Sequence, residues 1–448
     1  MSASTDTTTS ESGYPSPTVA WYSIGILLIA YTIAFVDRTI LALLVGPIQR
    51  DLGISDTLMG LLHGIAFALF YCALGIPIAR LSDQYSRRWI ILVGMLIWSA
   101  MTAVCGIAKN FWHLFLARVG VGVGEAALSP AAYSMIADSF PPRNLGRAIG
   151  VYSSGVFFGA GIAFMIGGAV IGALEAVQTM TLPLVGEIRS WQAVFFIVGA
   201  PGVLFALLML TVPEPKRRGL PAPDAPAGRE LSGLWQYMRD NRRVVAGHFL
   251  GFSLLAIVFN GYVAWAPTQL IRDFGVSAGE AGQALGAVIF AFGGSGIIVG
   301  GIVADRLARR GMHDANMRAG VIAAAGLLPA CILAPLVDSF GLSVTLYAAF
   351  FFFSSFPYGA AAAALQLMAP PDLRARLSAI YLLVLNLIGI GLGPLAIAAV
   401  SDGILGGKEH IGGGMAIVAA VVVPAGAAIL YASLPAFRRL VGSATAND

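Results

Sequence analysis

The sequence predicts an all-α membrane protein of twelve transmembrane helices, arranged as two pseudo-symmetric six-helix bundles. Three observations carry that expectation: a composition too apolar for water, twelve apolar runs of bilayer-spanning length, and a motif pattern that occurs twice. Of the 448 residues, 58% are apolar, 54 are glycine and 11% are charged, against about 25% charged in soluble domains. Mean hydropathy is +0.82. So few charges do not cover a surface in contact with water. A soluble enzyme, a nucleic-acid-binding protein and a secreted module are thereby excluded.

A helix needs about 20 apolar residues to cross a bilayer. Runs of that length occupy 18–46, 55–80, 88–108, 111–138, 144–174, 191–212, 242–271, 278–304, 317–337, 341–368, 374–400 and 412–436. They are continuous, which suits helices that satisfy their own backbone and argues against a barrel of alternating strands. Ahead of the first run, residues 1–17 are polar, without Lys or Arg and without an apolar core. They are expected to form a disordered cytoplasmic tail, not a signal peptide. After the sixth run, Pro213, Pro215, Pro221, Pro223 and Pro226 make an extended linker. Leu231, Leu234, Trp235 and Met238 then recur at helical spacing beside Arg239, Arg242 and Arg243, which predicts an amphipathic helix on the inner membrane surface. The expected organisation is a tail 1–17, a bundle 18–212, a cytoplasmic linker 213–241, a second bundle 242–437 and a cytoplasmic tail 438–448.

Basic residues give the orientation. With the N-terminus inside, 20 of the 27 Lys and Arg fall in inner segments and 5 in outer loops, while Arg38 and Arg118 lie within the membrane. By the positive-inside rule both termini are cytoplasmic, in a multi-pass protein of the inner (plasma) membrane. Cys72, Cys105 and Cys331 are odd in number and form no CxxC pair, so no disulfide, metal site or cofactor is expected.

The two halves repeat each other. Asp83, followed by Arg87 and Arg88, recurs 222 residues later as Asp305 with Arg309 and Arg310. Arg50-Asp51-Leu52-Gly53-Ile54-Ser55 recurs at the same offset as Arg272-Asp273-Phe274-Gly275-Val276-Ser277. Pro141-Pro142, Arg147 and Tyr152 recur as Pro370-Pro371, Arg376 and Tyr381. Duplicated six-helix units are typical of transporters that rock about a site at the bilayer midplane.

The stretch Ala79-Arg80-Leu81-Ser82-Asp83-Gln84-Tyr85-Ser86-Arg87-Arg88 and its copy from Gly301 to Arg310 resemble the loop signature of the major facilitator superfamily. Arg118-Val119-Gly120-Val121-Gly122-Val123-Gly124 fits that superfamily too. Phe35-Val36-Asp37-Arg38-Thr39 and Gly124-Glu125-Ala126-Ala127-Leu128-Ser129-Pro130-Ala131 resemble its spinster family of lipid transporters. The superfamily resemblance implies its fold over about 18–437, and a cytoplasmic gate at Asp83, Arg87, Arg88, Asp305, Arg309 and Arg310. The spinster resemblance implies a lysolipid or sphingolipid-like substrate with an anionic head. Gly155, Gly159 and Gly161 stand with Ala160, where the drug-antiporter pattern has a proline, which argues against drug efflux.

Four charges lie inside apolar runs: Asp37 and Arg38 in the first, Arg118 and Glu125 in the fourth. A charge at mid-bilayer costs about 2.5–3.5 kcal/mol on insertion scales, so function is the default reading and a static ion pair the competing one. At 1.5 Å per residue, Asp37 and Arg118 fall about 12 and 10 Å below the same surface, with Glu125 about 10 Å deeper than Arg118. Asp37 is therefore expected as the direct partner of Arg118. Asp37 and Glu125 are the proton-coupling candidates, because burial and a neighbouring arginine oppose each other in setting a carboxyl's protonation.

Arg38 and Arg118, with Asn260 and Tyr358 on the facing half, are the substrate-binding candidates, since a guanidinium matches a phosphate or carboxylate. The tenth run is rich in aromatics, including Tyr347, Phe350, Phe351 and Tyr358, most of which are expected to face core or lipid. Gly120, Gly122 and Gly124 follow no strand, so they read as a packing stripe and not a nucleotide loop. His63 is expected to be a packed histidine more than a proton relay.

The expected function is proton-coupled transport of an amphipathic anionic lipid by alternating access, in a monomer whose partners are substrate, protons and membrane lipids. The alternative is proton-coupled transport of a small organic anion such as a sugar acid. A membrane-embedded enzyme lacks support, with no HExxH, nucleophile elbow or metal-ligand cluster in the sequence. A scramblase would need lipid flow without a proton gradient.

Overall fold

The computed structural model of the chain describes residues 14–174, 177, 179–182, 186–217, 227–370 and 373–445; the side chains of 83, 142, 143, 182, 227–232, 375 and 443–445 lie outside the description. Among the described residues, twelve helices are long and apolar enough to cross a membrane. Spans 1 to 6 are Pro17–Leu43, Asp56–Ser82, Arg87–Cys105, Phe111–Ser139, Asn144–Leu174 and Ser190–Thr211. Spans 7 to 12 are Arg242–Phe274, Ala278–Arg309, Ala315–Leu333, Phe340–Met368, Arg376–Gly403 and Lys408–Gly442. The chain is thus a multi-pass membrane protein, and the even number of spans puts Pro17, Gly442 and the described parts of the linker, 213–217 and 227–240, at one end of the bundle. That end is called the linker end and the opposite one the far end.

The Arg-Asp repeat now has a structural meaning. In each half a helix closes on a glycine at φ +65°, Gly53 and Gly275, a conformation glycine adopts without penalty. Two residues on, a serine opens the next helix. Ser55 accepts from the Leu58 amide at 3.2 Å and Ser277 from the Glu280 amide at 3.1 Å. One sequence therefore makes the same turn twice at the far end.

Several spans are interrupted near mid-membrane. Span 1 tightens into a 3-10 turn after Thr39, span 2 breaks at Gly64, span 4 at Ala126–Ala127 and span 5 at Ser154. Spans 8 and 11 carry π-helical turns at Ile289–Gly293 and Leu387–Leu392. Such local unwinding frees main-chain groups and is frequent at functional sites.

Inside the first half, span 3 packs on spans 4 and 6, span 4 on span 2 and span 1 on span 5; in the second, span 12 packs on spans 7 and 9. Glycines set the closest approaches. A Cβ on Gly122 would lie 2.5 Å from the Phe67 carbonyl oxygen, and one on Gly124 2.6 Å from the Trp98 nitrogen. The glycine stripe of span 4 is therefore a packing surface. The halves meet along span 5 against span 8 and span 2 against span 11, the two pairs related by the pseudo-symmetry. A Cβ on Gly282 would meet the Phe164 carbonyl oxygen at 2.5 Å, and Gly64 faces the Gly391 carbonyl as closely.

Three features depart from the sequence expectation. The loop between spans 5 and 6 holds an antiparallel hairpin, β1 (Thr179–Leu182) and β2 (Gly186–Arg189). The linker helix is longer than its apolar spacing suggested, Ala227–Asp240, with Leu234 buried and Tyr237 donating to the Met368 carbonyl. The last helix runs on to Thr445, and Arg438 pairs at 2.9 Å with buried Asp314, which also holds Arg318 at 2.8 Å. The segment read as a tail from 438 is thus helical through Thr445.

Candidate functional site

Span 1 and span 4 bring the four intramembrane charges together, but not in the expected pairs. Arg38 donates to Glu125 at 2.5 Å. Arg118 donates to main-chain carbonyls, that of Asp37 at 3.2 Å and that of Arg38 at 3.4 Å. Neither oxygen of the Asp37 carboxyl has a hydrogen-bond partner within ordinary distance and angle among the described residues, and the buried Trp98 indole N–H beside it is the neighbouring donor. The Asp37–Arg118 side-chain pair expected from depth is therefore not formed in this structure.

The physical reason lies in side-chain direction. A helical side chain leans toward its own helix N-terminus. Span 1 begins at the linker end and span 4 at the far end, so Arg38 leans toward the level of Glu125 while Arg118 leans away from it. Arg118 reaches instead the C-terminal end of the first helical segment, Pro17–Thr39, where carbonyls run out of helical donors. It caps that segment with charge as well as hydrogen bonds.

Aromatic rings enclose the pair. The Arg38 guanidinium carbon lies 4.2 Å from the Phe67 ring centroid, 4.7 Å from Phe35 and 5.5 Å from Tyr71. Phe67 also stands 5.9 Å from Arg118, so its ring separates two cations while attracting both. Burial then distinguishes the four charges. The Arg38 side chain is 16% exposed and that of Glu125 1%, whereas Asp37 and Arg118 are 0% and 1% exposed. Arg38 is the charge within reach of solvent. Oε1 of Glu125 has no partner among the described residues, which leaves a lone pair open.

On the facing half, Tyr358 is 41% exposed. Its ring packs edge-on against Phe157 of span 5 at 5.4 Å and Phe259 of span 7 at 5.8 Å. Asn260 is half-buried and donates to the Ala256 carbonyl at 2.9 Å, one helical turn back. The other span 10 aromatics largely build core: Tyr347 and Phe350 are buried against Tyr262, with Phe350 stacked on it at 4.6 Å. His63 is buried with Nε2 unpartnered and lies 6.0 Å from the Trp265 ring, a packed position between the halves.

The gate candidates behave unequally. Buried Arg87 donates to Glu214 at 2.8 Å, to Ser134 at 2.9 Å, to the Pro215 carbonyl at 2.8 Å and to Asp138. Glu214 also accepts from Ser86 at 2.7 Å and from the Arg88 amide at 3.0 Å. Burial pushes the Glu214 carboxyl up, but the Arg88 amide, Arg87 and Ser86 together hold it below the usual range. Arg87 thus ties span 3 to span 4 and to the start of the linker. Its counterparts Asp305, Arg309 and Arg310 are exposed and form no ion pair among the described residues. The Asp83 side chain lies outside the described residues.

The polar clasp at the far end was not anticipated. Arg272 of span 7 forks onto Asp56 of span 2, at 2.8 Å to each oxygen, and bonds Gln49 at 2.9 Å. Asp402 accepts from the Thr57 amide and hydroxyl at 2.8 and 2.7 Å, and Lys408 donates to the Ile54 carbonyl at 3.2 Å. All these bonds cross between the halves. Their signal was present in the sequence, since Arg272 opens the second copy of the Arg-Asp repeat.

Comparison with known proteins bears on this arrangement. The family model of the Major Facilitator Superfamily matches residues 27–394. An MFS-type efflux pump of Mycolicibacterium smegmatis is 28% identical over 94% of this chain and 94% of its own. A D-galactonate transporter of Escherichia coli is 27% identical over 70% of this chain and 73% of its own. The crystal structure of a bacterial homolog of the human lysosomal transporter Spinster, inward-facing and unoccupied, aligns with a TM-score of 0.74 at 29% identity, covering 95% of this chain and 98% of that one.

Proposed function

Because this chain belongs to the major facilitator superfamily and is similar to its spinster-like transporters, we propose that it is a proton-coupled secondary transporter of an amphipathic anionic lipid, a lysophospholipid or sphingolipid-like molecule. It works by alternating access, with its termini in the cytoplasm. The observation that carries this reading is the Arg38–Glu125 pair, in which the cation is partly exposed and the carboxylate is buried.

The anionic head of the substrate takes Arg38. Glu125 then loses its counter-charge in a buried place, where a lone ionised carboxylate is costly, and binds a proton at its open oxygen. Protonation of Glu125 in turn releases Arg38 for the anion. The two ligands favour each other, as linkage requires, so anion and proton move together. Asp37 is the second proton site and Arg118 holds the span 1 backbone that presents Arg38. Exposed Tyr358, backed by the buried rings of Phe157 and Phe259, offers an apolar surface to the acyl chain, with Asn260 beside it. The gate reading of Asp83, Arg87 and Arg88 belongs to the same proposal, the first two spans hinging against span 11 at the linker end.

The second reading is a small organic anion such as a sugar acid, favoured by the D-galactonate transporter among the relatives. It uses Arg38 and Glu125 in the same way, with Asn260 and Tyr358 as hydroxyl partners. Proteoliposomes separate the two: uptake of lysolipids of increasing chain length and of galactonate is compared with and without a pH gradient. Each buried CH₂ adds about 0.8 kcal/mol, so lipid affinity rises steadily with chain length under the first reading. Flat affinity beside strong galactonate uptake supports the second.

A further inference from the structure

At the far end, away from the central charges, a pocket of about 310 Å³ lies between the halves, within the size range of ligand sites. Spans 1, 5 and 6 wall it from one half and spans 7 and 8 from the other. Leu43, Leu44, Ile171, Val194 and Ile271 make it apolar, and its charged lining is Arg50 and Arg272, with no carboxylate. Arg272 is committed to Asp56 and Gln49. Arg50 has no hydrogen bond or ion pair among the described residues, and its guanidinium folds over Gly46, itself part of the wall. The pocket also borders the first residues of two helices, at Ser190 and at Ala278–Gly279, where free amides favour negative charge. Thr268, 3% exposed, lines it with a hydroxyl that has no hydrogen-bond partner among the described residues.

We propose that this pocket binds a single-chain anionic amphiphile, with its carboxylate or phosphate on Arg50 and its chain along the apolar wall, and that occupancy favours the conformation in which the far ends are clasped. The walls belong to both halves, so the pocket exists only while the halves meet there. A ligand that binds one state and not the other shifts the population toward the first.

The test uses the full-length protein in nanodiscs of neutral lipid, with decanoate as probe and decanol as its uncharged counterpart, each corrected for empty nanodiscs. Decanoate is expected to bind saturably and at least tenfold more tightly than decanol. Arg50→Gln, at an exposed position, is expected to weaken decanoate about tenfold and to leave decanol unchanged. Val194→Trp, which fills the pocket, is expected to abolish both. Spin labels at positions 109 and 409 are expected to report a larger close-distance population with decanoate present. Equal decanoate affinity in the parent and Arg50→Gln overturns the proposal, as does decanol binding as tightly as decanoate. No change in the label distances overturns the conformational part.

Discussion

Replacing Arg272 by glutamine is expected to unlock the far end. Arg272 supplies two hydrogen bonds to Asp56, one to Gln49 and one to the Lys408 carbonyl, the last at 2.7 Å. Asp56 is 0% exposed and Arg272 20%. Removing one member of a buried pair costs about 3–5 kcal/mol. Two facts reduce that figure here. Arg272 is partly solvated, and Asp56 keeps its bond from Gln49 at 2.7 Å. About 2 kcal/mol remains, which is about a thirtyfold change in an equilibrium. Gln49 and Asp56 lie in the first half and Arg272 in the second, so the loss falls on the clasped state and not on the folding of either half. Electron–electron distances between labels at positions 109 and 409, both exposed, read the outcome: the long-distance population rises at the expense of the short one. Asp56→Asn should produce a similar shift, and the double variant little more than either alone, since the two act through one contact. An unchanged distance distribution in Arg272→Gln, with normal expression, would refute the assignment of this contact as a conformational latch.

Further expectations are more local. Gly122→Leu should lower thermal stability by about 1–3 kcal/mol, because even a Cβ there meets the Phe67 backbone at 2.5 Å and span 2 has no room to withdraw; Gly75, with nothing within 4 Å of its Cβ position, should tolerate alanine in the same melting assay. Glu214 is held below its ordinary value of 4.5, so its tie to Arg87 contributes fully above about pH 4.5 and fades as pH falls through the lowered value; a melting temperature that drops as pH falls from about 5 to about 3 in the parent should drop less in Glu214→Gln. Asp37→Asn should fold normally, since the amide is close in shape to the carboxyl and can still accept from the neighbouring Trp98 N–H, yet weaken the response of transport to a pH gradient; an unaltered response removes Asp37 from the proton path.

The sequence made the twelve spans legible because each must bury about 20 apolar residues, and no soluble alternative hides them. The division into halves was legible from the repeat and the prolines after Thr211. The hairpin at Thr179–Arg189 and the continuation of span 12 past Arg438 were not. Polar strands beside a helix end have no distinctive pattern, and Arg438 is helical because Asp314, far away in sequence, holds it. At the charge cluster, helix rise placed Asp37, Arg38, Arg118 and Glu125 at compatible depths, but rise says nothing of which way a side chain leans. Adding that direction would have paired Arg38 with Glu125 and sent Arg118 to the carbonyls of span 1. The aromatic cradle of Phe35, Phe67 and Tyr71 was hidden for a plainer reason: in an apolar helix a ring beside a cation looks like any ring facing lipid. The clasp at Arg272 was half visible, as a repeated motif without a role, because its partners Asp56 and Gln49 come from the other half.

Glu125→Gln tests the central claim, that anion and proton share Arg38 and Glu125, most directly. Proteoliposomes containing the parent or the variant are loaded with a pH-sensitive dye and given an inward gradient of the better substrate, lysolipid or galactonate, with no imposed pH difference. In the parent, protons should enter with the anion and the lumen should acidify. In Glu125→Gln the anion should still bind, because Arg38 is freed, but its entry should carry fewer protons and the lumen should acidify less. Lumenal acidification in the variant equal to that of the parent would contradict the account.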